Sequence, residues 1–318
     1  MSVRYLTASN KPFPQELRET MIGELAALGA AISWTISAIL YKKALQETKP
    51  ISANIIRLTC TAAVLLAFVV ILGKFGILTS LPMDIVVLAI VSGIIGLGVG
   101  DTLYMASLKT IGVARAVPVT CTYPLFNLLW AVSFGKELVT VPVALGAIVI
   151  FAGIWLLSQE EEKVGRTETQ KKTLLKGIAL ALTTAIVWSV SIAMINIAVK
   201  TTPDLDHALA INTVRVAAIA VSLFALSPLI DRGLEFRKVN RKTVAALIAG
   251  GIVALGLGWF FLTYSFIETL ESRAVPISST TPLFSTLVGI VLLHEKVTAR
   301  NVISSVIIVV GIFLIFLV

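Results

Sequence analysis

Asp101 lies inside a segment that is otherwise apolar, in the run GLGVGDTLYMASL. A carboxylate at the centre of a bilayer costs roughly 2.5–3.5 kcal/mol on insertion scales, so such groups usually face a cavity or a partner. The functional interpretation is a contact to the amine of a solute, or a site that takes up and releases a proton. The structural alternative is a buried hydrogen bond, for instance to Tyr104 one turn later, and the two interpretations have equal weight.

Two arginines occupy matching positions in apolar segments. Arg57 follows Asn54 by three residues, and Arg215 follows Asn212 by the same spacing. Residues three apart share one face of a helix, so each pair predicts a polar face that binds a carboxylate or phosphate, or an arginine that pairs with Asp101. The alternative is an arginine that extends to the lipid headgroups. Because both copies carry the arginine, a scaffold role is at least as well supported as substrate binding.

Aromatic side chains are the candidates for stacking on a solute. Aromatic residues of membrane proteins more often form belts at the two interfaces, but Trp34 and Trp188 lie near the middle of their segments, which favours a cavity or a packed core. The candidates are Trp34, Tyr41, Tyr123, Trp188, Trp259 and Tyr264.

A proline-containing stretch occurs twice, as RAVPVTCTYPLF over 115–126 and RAVPISSTTPLF over 273–284, with eight of twelve positions identical. Proline removes a backbone donor and clashes with the carbonyl four residues earlier, so both copies predict bent or opened helices. Duplicated interrupted helices indicate a transport pathway between two repeats, whereas the alternative is that the prolines only shape packing. The prolines are Pro118, Pro124, Pro276 and Pro282, and the hydroxyls predicted to satisfy the freed carbonyls belong to Thr120, Thr122, Ser278, Ser279 and Thr280.

Glu137 and Glu295 stand beside Lys136 and Lys296 in the turns before the fifth and tenth predicted spans. A glutamate near a helix N-terminus is stabilised by the helix dipole, which favours a capping role. A gating salt bridge at the mouth of a cavity is the alternative.

These motifs belong to an internal duplication. Gly23, Trp34 and Ser37 match residues 154 positions later, and after four inserted residues near Asp204 the offset is 158 to the end of the chain. At that second offset Asn54-x-x-Arg57 matches Asn212-x-x-Arg215, and Glu137 matches Glu295. So many matches at constant offsets indicate two copies of one unit.

Composition identifies lipid as the solvent. The 318 residues are 57% hydrophobic and 14% charged, against about 25% charged in soluble domains. Apolar runs long enough to cross a bilayer predict an all-α membrane protein of ten transmembrane helices. Five spans per copy would place the second copy upside down relative to the first, as two inverted five-helix repeats. The predicted spans are 22–44, 53–72, 84–108, 113–134 and 139–158, then 175–199, 208–230, 243–267, 272–293 and 297–317.

The domain prediction follows from these spans. Residues 1–21 form a polar tail, disordered or lying on the surface, and residues 159–174 form a polar, solvated linker between repeat 1 (22–158) and repeat 2 (175–318). Lysine and arginine are most frequent in the linker and near 232–242, which by the positive-inside rule places both termini outside. The basic residues set orientation, so the net charge of +8 does not indicate nucleic-acid binding.

The residue types required by several enzyme classes are missing from the pattern. His207 and His294 have no metal partner at useful spacing, and Cys60 and Cys121 fit neither a disulfide framework nor a metal site. No Ser/His/Asp set and no P-loop occurs, which excludes an ATPase within this chain. We therefore expect no enzyme activity, no cofactor and no metal.

The duplication, a tryptophan in each first span, an Asn-x-x-Arg in each second span and the A-V-P…P-L-F stretch ahead of a glutamate together resemble the EamA-type family of drug/metabolite transporters. The resemblance covers residues 22–318. It implies a ten-helix carrier with a central cavity between the repeats, moving small metabolites, amino acids, nucleosides or drugs. It also implies both termini in the cytoplasm, opposite to the charge distribution.

We accordingly predict a multi-pass carrier of the cell (plasma) membrane, working by alternating access and driven by a proton or solute gradient. The expected partners are the lipid bilayer, a small-molecule solute and protons, with no nucleic acid, in a monomer or homodimer. The alternative function is a non-transporting membrane scaffold or receptor subunit.

Overall fold

The structure is a computed structural model that describes residues 13–135, 140–158, 168–202, 204–268, 277–295 and 297–315, and within these ranges its regular elements are all helices. The first half contains α1 (Phe13–Ala44), α2 (Pro50–Ile71), α3 (Phe75–Ser80), α4 (Met83–Ser92), α5 (Asp101–Ile111), α6 (Val113–Thr120), α7 (Tyr123–Gly135) and α8 (Val141–Ser158). The second half contains α9 (Glu168–Thr201), α10 (Leu205–Ile230), α11 (Arg241–Gly251), α12 (Trp259–Glu268), α13 (Thr281–Val291) and α14 (Ala299–Ile315).

Each half contains a π-helix in the middle of its third span. The first π-helix (Gly93–Gly100) joins α4 to α5, and the second π-helix (Ile252–Gly258) joins α11 to α12. Their sequences, GIIGLGVG and IVALGLG, are rich in glycine, and π-turns frequently occur at functional sites. The third span of each half is therefore one continuous helix with a widened centre.

Within the described ranges, six helices are long and apolar enough to cross a membrane, and three shorter apolar helices accompany them. The chain is thus a multi-pass membrane protein. The six are Ile22–Ala44, Pro50–Ile71, Met83–Ile111, Glu168–Val199, Leu205–Ile230 and Arg241–Ser265, and the shorter ones are Ala144–Leu157, Thr281–Val291 and Ala299–Leu314.

Two helices begin earlier than the sequence predicts. Helix α1 begins at Phe13, so residues 13–21 of the predicted polar tail are helical. Helix α9 begins at Glu168, so the end of the predicted linker is also helical. The sequence boundaries followed the hydrophobic pattern, but a helix continues beyond its apolar core where no proline or glycine ends it.

The proline stretch divides the predicted fourth span. Helix α6 ends at Thr120, a turn follows at Cys121 and Thr122, and α7 begins at Tyr123 with Pro124 in its first turn. In the second half a turn at Ser279 and Thr280 precedes α13, which carries Pro282 in its first turn, whereas Pro276 lies outside the described residues. The predicted interruption is confirmed at both turns.

The hydroxyls near these breaks bond to carbonyls three residues earlier. Thr120 and Thr122 donate to the carbonyls of Val117 and Val119, and Thr280 donates to that of Ile277. The carbonyl of Ser278, which Pro282 leaves without its helical donor, instead accepts from Thr281. Of these four acceptors only the carbonyl of Ser278 is one that a proline frees, and its donor is Thr281, which was not among the predicted hydroxyls. The bonds of Thr120, Thr122 and Thr280 go to other carbonyls, so the predicted role is wrong for these three.

The two halves contact each other through matching elements. Helix α1 packs along the third span of the second half, and α9 packs along the third span of the first half, while α2 pairs with α10, α6 with α13 and α8 with α14. Helices α2 and α10 run antiparallel, because Lys49 contacts Glu235 at one end and Lys74 contacts Asp206 at the other. Exchanging the halves leaves this contact pattern unchanged.

Candidate functional site

A cavity lies between the two halves, where α1, α2, α9 and α10 meet the two third spans and the proline breaks. The volume of this cavity is about 100 Å³. Six aromatic side chains contribute to its wall: Trp34, Tyr41, Tyr104, Tyr123, Trp188 and Trp259. The lining therefore suits a solute with a substantial apolar or flat portion.

Arg57 and Asp101 form a buried ion pair on one side of the cavity. The distance from Arg57 Nη2 to Asp101 Oδ2 is 2.5 Å, and both side chains are almost completely buried. Asn54 Oδ1 accepts a second hydrogen bond from Nη2 at 2.8 Å, and Trp188 Nε1 donates to Asp101 Oδ1 at 2.8 Å. Both carboxylate oxygens therefore have donors, which keeps the charged form of Asp101 compensated in a low-dielectric site.

Of the alternatives for Arg57, the structure contains the ion pair with Asp101. Extension to the headgroups is wrong for both arginines, since Arg57 and Arg215 are each 2% exposed. The hydrogen bond expected between Asp101 and Tyr104 is replaced by the bonds to Arg57 and Trp188. Tyr104 instead packs against Trp188, with the ring centroids 5.1 Å apart. The three-residue spacing predicted Tyr104 as a local partner of Asp101, whereas the tertiary structure provides Arg57, a charged and therefore stronger donor.

Arg215 occupies the matching position in the second half, but its surroundings differ. Its guanidinium carbon lies 4.5 Å from the ring centroid of Trp259, and Nη2 donates to Ser191 Oγ at 2.9 Å. Trp259 stands where the first half has Asp101. Among the described residues no carboxylate forms a salt bridge with Arg215, whereas Arg57 pairs with Asp101. The buried Nε atoms of both arginines lack a hydrogen-bond partner there, so the difference between the two sites is the carboxylate.

The asparagines of the two motifs hold the π-helices rather than line the cavity. Asn54 Nδ2 donates to the carbonyl of Leu97, and Asn212 Nδ2 donates to that of Leu255, both at 2.8 Å. These carbonyls occupy matching positions in the two π-helices. Since a π-helix leaves carbonyls poorly paired along its widened turn, the asparagine amides satisfy them and fix the third spans beside the arginines.

Glycines allow the backbones to approach at the same places. A Cβ atom added to Gly93 would lie 2.7 Å from the carbonyl oxygen of Arg215, and one added to Gly251 would lie 2.8 Å from Arg57 Cγ. One added to Gly100 would lie 2.7 Å from the Trp188 ring, and one added to Gly258 would lie 2.6 Å from the Trp34 ring. The absence of side chains here lets the first and second spans of each half pack closely against the third span of the other half.

Two further predicted residues, Tyr264 and Glu295, lie outside the cavity lining. Tyr264 is absent from the lining and stacks on Phe260. Glu295 has the predicted capping role, but on a different helix. Its carboxylate accepts from the backbone N–H groups of Val113 at 2.8 Å and Ala114 at 3.0 Å, so it caps α6 of the other half rather than α14. The tertiary fold places α6 closer than the next helix along the chain.

Some predicted positions have no description, and some lining residues were missed. Glu137 and Pro276 lie outside the described residues. Pro124 and Pro282 lie in the first turns after the breaks, whereas Pro118 lies inside α6, before the break at Cys121 and Thr122. Ser191, which contacts Arg215, was not predicted as a site residue, although its match to Ser37 at the first offset was the available signal. No group of metal-ligating side chains exists in the described part of the chain.

Comparisons with known proteins agree with this architecture. Residues 21–159 and 175–317 match the EamA-like transporter family. An uncharacterized transporter from Archaeoglobus fulgidus is 27% identical over 301 residues, which cover 93% of this chain and 99% of that protein. A protein of known crystal structure shares the fold with a TM-score of 0.63 at 20% identity, over 92% of this chain and 95% of the other.

Proposed function

Because the chain belongs to the EamA-like transporter family, and is therefore a membrane transporter, we propose that it is a secondary-active carrier of a small metabolite, amino acid or drug-like solute. The observation that carries this proposal is the central cavity, which combines aromatic walls with three buried charges. Binding sites of such carriers lie near the bilayer midplane at the interface of two repeats, beside interrupted helices. The breaks in the proline stretches lie beside this cavity, with Thr120, Cys121 and Ser278 in its wall.

The carrier would work by alternating access between two inverted five-helix repeats. The antiparallel course of α2 and α10 supports this topology, since equivalent helices of inverted repeats run in opposite directions. The count of ten membrane spans takes α6 and α7 together as the fourth span and α13 as the described part of the ninth span. The repeats would comprise 22–158 and 175–318, joined by 159–174.

A difference between the halves supports the alternation. On one face of the molecule Ser107 of α5 donates to the carbonyl of Gly177 in α9 at 2.9 Å. The matching serine of α12, Ser265, is buried and has no hydrogen-bond partner in the part of the chain that the structure describes. Carriers with inverted repeats exchange the conformations of their halves during the cycle, so in the opposite state Ser265 would donate to Gly23.

Matched alanine substitutions test this step. Ser107→Ala should destabilise the described state by about 0.5–1.5 kcal/mol, the net worth of a hydrogen bond. Ser265→Ala should be neutral or stabilising here, because it removes a buried hydroxyl that has no partner. Equal losses in thermal unfolding experiments would contradict the proposed difference between the halves.

Asp101 is the proposed coupling residue for protons. Protonation would remove the charge that holds Arg57, and the pair would then separate as the cavity changes its accessibility. Asp101→Asn should therefore abolish uptake driven by a pH gradient while the protein still inserts and folds. Full uptake by that variant would refute proton coupling through this residue.

Transport itself is tested in liposomes containing the purified chain. Amino acids, nucleosides, organic anions and cationic drugs would be screened with and without a pH gradient. Accumulation of a solute that protein-free liposomes exclude supports a carrier. Binding without flux across all classes would indicate instead a scaffold or receptor.

We place the carrier in the plasma membrane as a monomer or homodimer, with both termini in the cytoplasm. Labelling a single cysteine introduced at Glu235 from either side of the membrane tests the orientation.

A further inference from the structure

The ionised side chains of the cavity do not balance. Among the described lining residues Arg57 and Arg215 carry positive charge and Asp101 carries negative charge, which leaves a net charge of 2 − 1 = +1. Arginine does not lose its proton in proteins, and an uncompensated charge in a low-dielectric site is unfavourable. Binding of one negatively charged group would therefore bring the net charge of the cavity lining to zero.

The excess charge belongs to Arg215. Arg57 is neutralised by Asp101 at 2.5 Å. Among the described residues, the side-chain contacts of the Arg215 guanidinium are with neutral groups, the hydroxyl of Ser191 and the ring of Trp259. These contacts orient the guanidinium without neutralising it. The duplication makes the difference informative, because the second half has retained the arginine while a tryptophan occupies the position of the carboxylate.

We propose that Arg215 binds the anionic group of the transported solute, and that this solute is a small organic monoanion with an aromatic or other flat apolar portion. The proposal rests on the carrier function and specifies its substrate class. A carboxylate on Arg215 brings the cavity to neutrality, and its apolar portion lies against the aromatic wall. The Arg57–Asp101 pair stays intact when such a monoanion binds.

The test uses three probes of nearly equal shape and different charge: 3-phenylpropionate, 3-phenylpropionamide and 3-phenylpropylamine. Each is titrated against the purified full-length chain in nanodiscs, and dissociation constants are obtained from the increase in melting temperature. The anion should bind roughly tenfold or more tightly than the amide, as expected for hydrogen bonds to a charged partner. The amine should bind least. Equal affinities, or a preference for the amine, would overturn the proposal without any variant.

Variants then assign the charge to one arginine. Arg215→Gln leaves a lining charge of 1 − 1 = 0 and should remove the preference for the anion. Its matched control is the double variant Arg57→Gln/Asp101→Asn, which removes the neutral pair, leaves +1 and should keep the preference. Asp101→Asn alone gives +2 and should tighten anion binding by roughly tenfold.

Folding of each variant is checked by its melting temperature without probe, and Arg215→Lys supplies a version that keeps the charge if Arg215→Gln does not fold. Loss of the preference in the double variant, or its retention in Arg215→Gln, would refute the assignment to Arg215. Flux of neutral or cationic solutes with no anion preference would refute the proposed substrate class while the carrier function stands. Anion binding without flux of any solute would refute the carrier function but would still support an anion-binding site at Arg215.

Discussion

The Arg57–Asp101 pair should be strongly coupled, and a double-mutant cycle measures the coupling. Arg57→Gln removes the donor that lies 2.5 Å from Asp101. It leaves a carboxylate that is 5% exposed, with Trp188 as its remaining side-chain donor among the described residues. Breaking a buried pair from one side typically costs about 3–5 kcal/mol. Asp101→Asn keeps an acceptor for Arg57 and should cost about 1.5–3 kcal/mol, the worth of a hydrogen bond to a charged group.

The double variant Arg57→Gln/Asp101→Asn contains neither buried charge, so its cost should be smaller than the sum of the single costs by about 1.5–3 kcal/mol. The free energy of unfolding would be measured by reversible denaturation in mixed micelles for all four proteins. The surface pair of Lys49 and Glu235, with side chains 57% and 38% exposed, is the control, because exposed pairs couple by about 0–1 kcal/mol. Costs that add to within about 0.5 kcal/mol at Arg57 and Asp101 would refute this account of the pair.

Three further predictions concern helix contacts and ends. Gly93→Ala should cost about 1–3 kcal/mol in thermal unfolding, since the new Cβ would lie 2.7 Å from a backbone oxygen, whereas Gly76→Ala, with nothing within 4 Å, should be neutral. Glu295→Gln should lower stability by about 0.5–2 kcal/mol, because it weakens the cap of α6. Asp204 caps α10, and the backbone N–H of His207 lowers the pKa of this carboxylate. Its stabilisation is thus present above the ordinary carboxyl pKa and lost as pH falls through the lower folded value, a loss that Asp204→Ala should abolish in melting curves.

Much of the fold could be predicted from the sequence, because the patterns that indicate it are local and occur in both repeats. Apolar runs predicted the membrane-spanning helices, and the prolines predicted the interruptions now seen at Cys121–Thr122 and Ser279–Thr280. The π-helices were not predicted, since a glycine-rich run does not by itself specify a widened turn. Carbonyls in these turns accept hydrogen bonds from the amides of Asn54 and Asn212, which belong to other helices, so this contact is visible only in the tertiary structure.

The sequence predicted which residues line the candidate site but did not predict which of them contact one another. Asp101, Arg57, Arg215 and the tryptophans were all singled out, and they line one cavity. Their partners required the tertiary structure, because Arg57 and Asp101 are separated by 44 positions and come together only where α2 crosses the third span. Glu295 shows the same limit, as its capped helix begins 182 residues earlier in the chain.

The duplication explains why this asymmetry has functional meaning. Two copies of one unit begin with equivalent sites, and the scaffold contacts of both asparagines with the π-helices have kept that equivalence. The charges of the two sites are not equivalent, because Arg57 pairs with the carboxylate of Asp101 whereas Arg215 lies against the indole ring of Trp259. A purely structural pair of arginines would gain from equal compensation in both halves, since each buried charge carries the same cost. The uncompensated arginine is therefore the position at which the cavity distinguishes one solute charge from another.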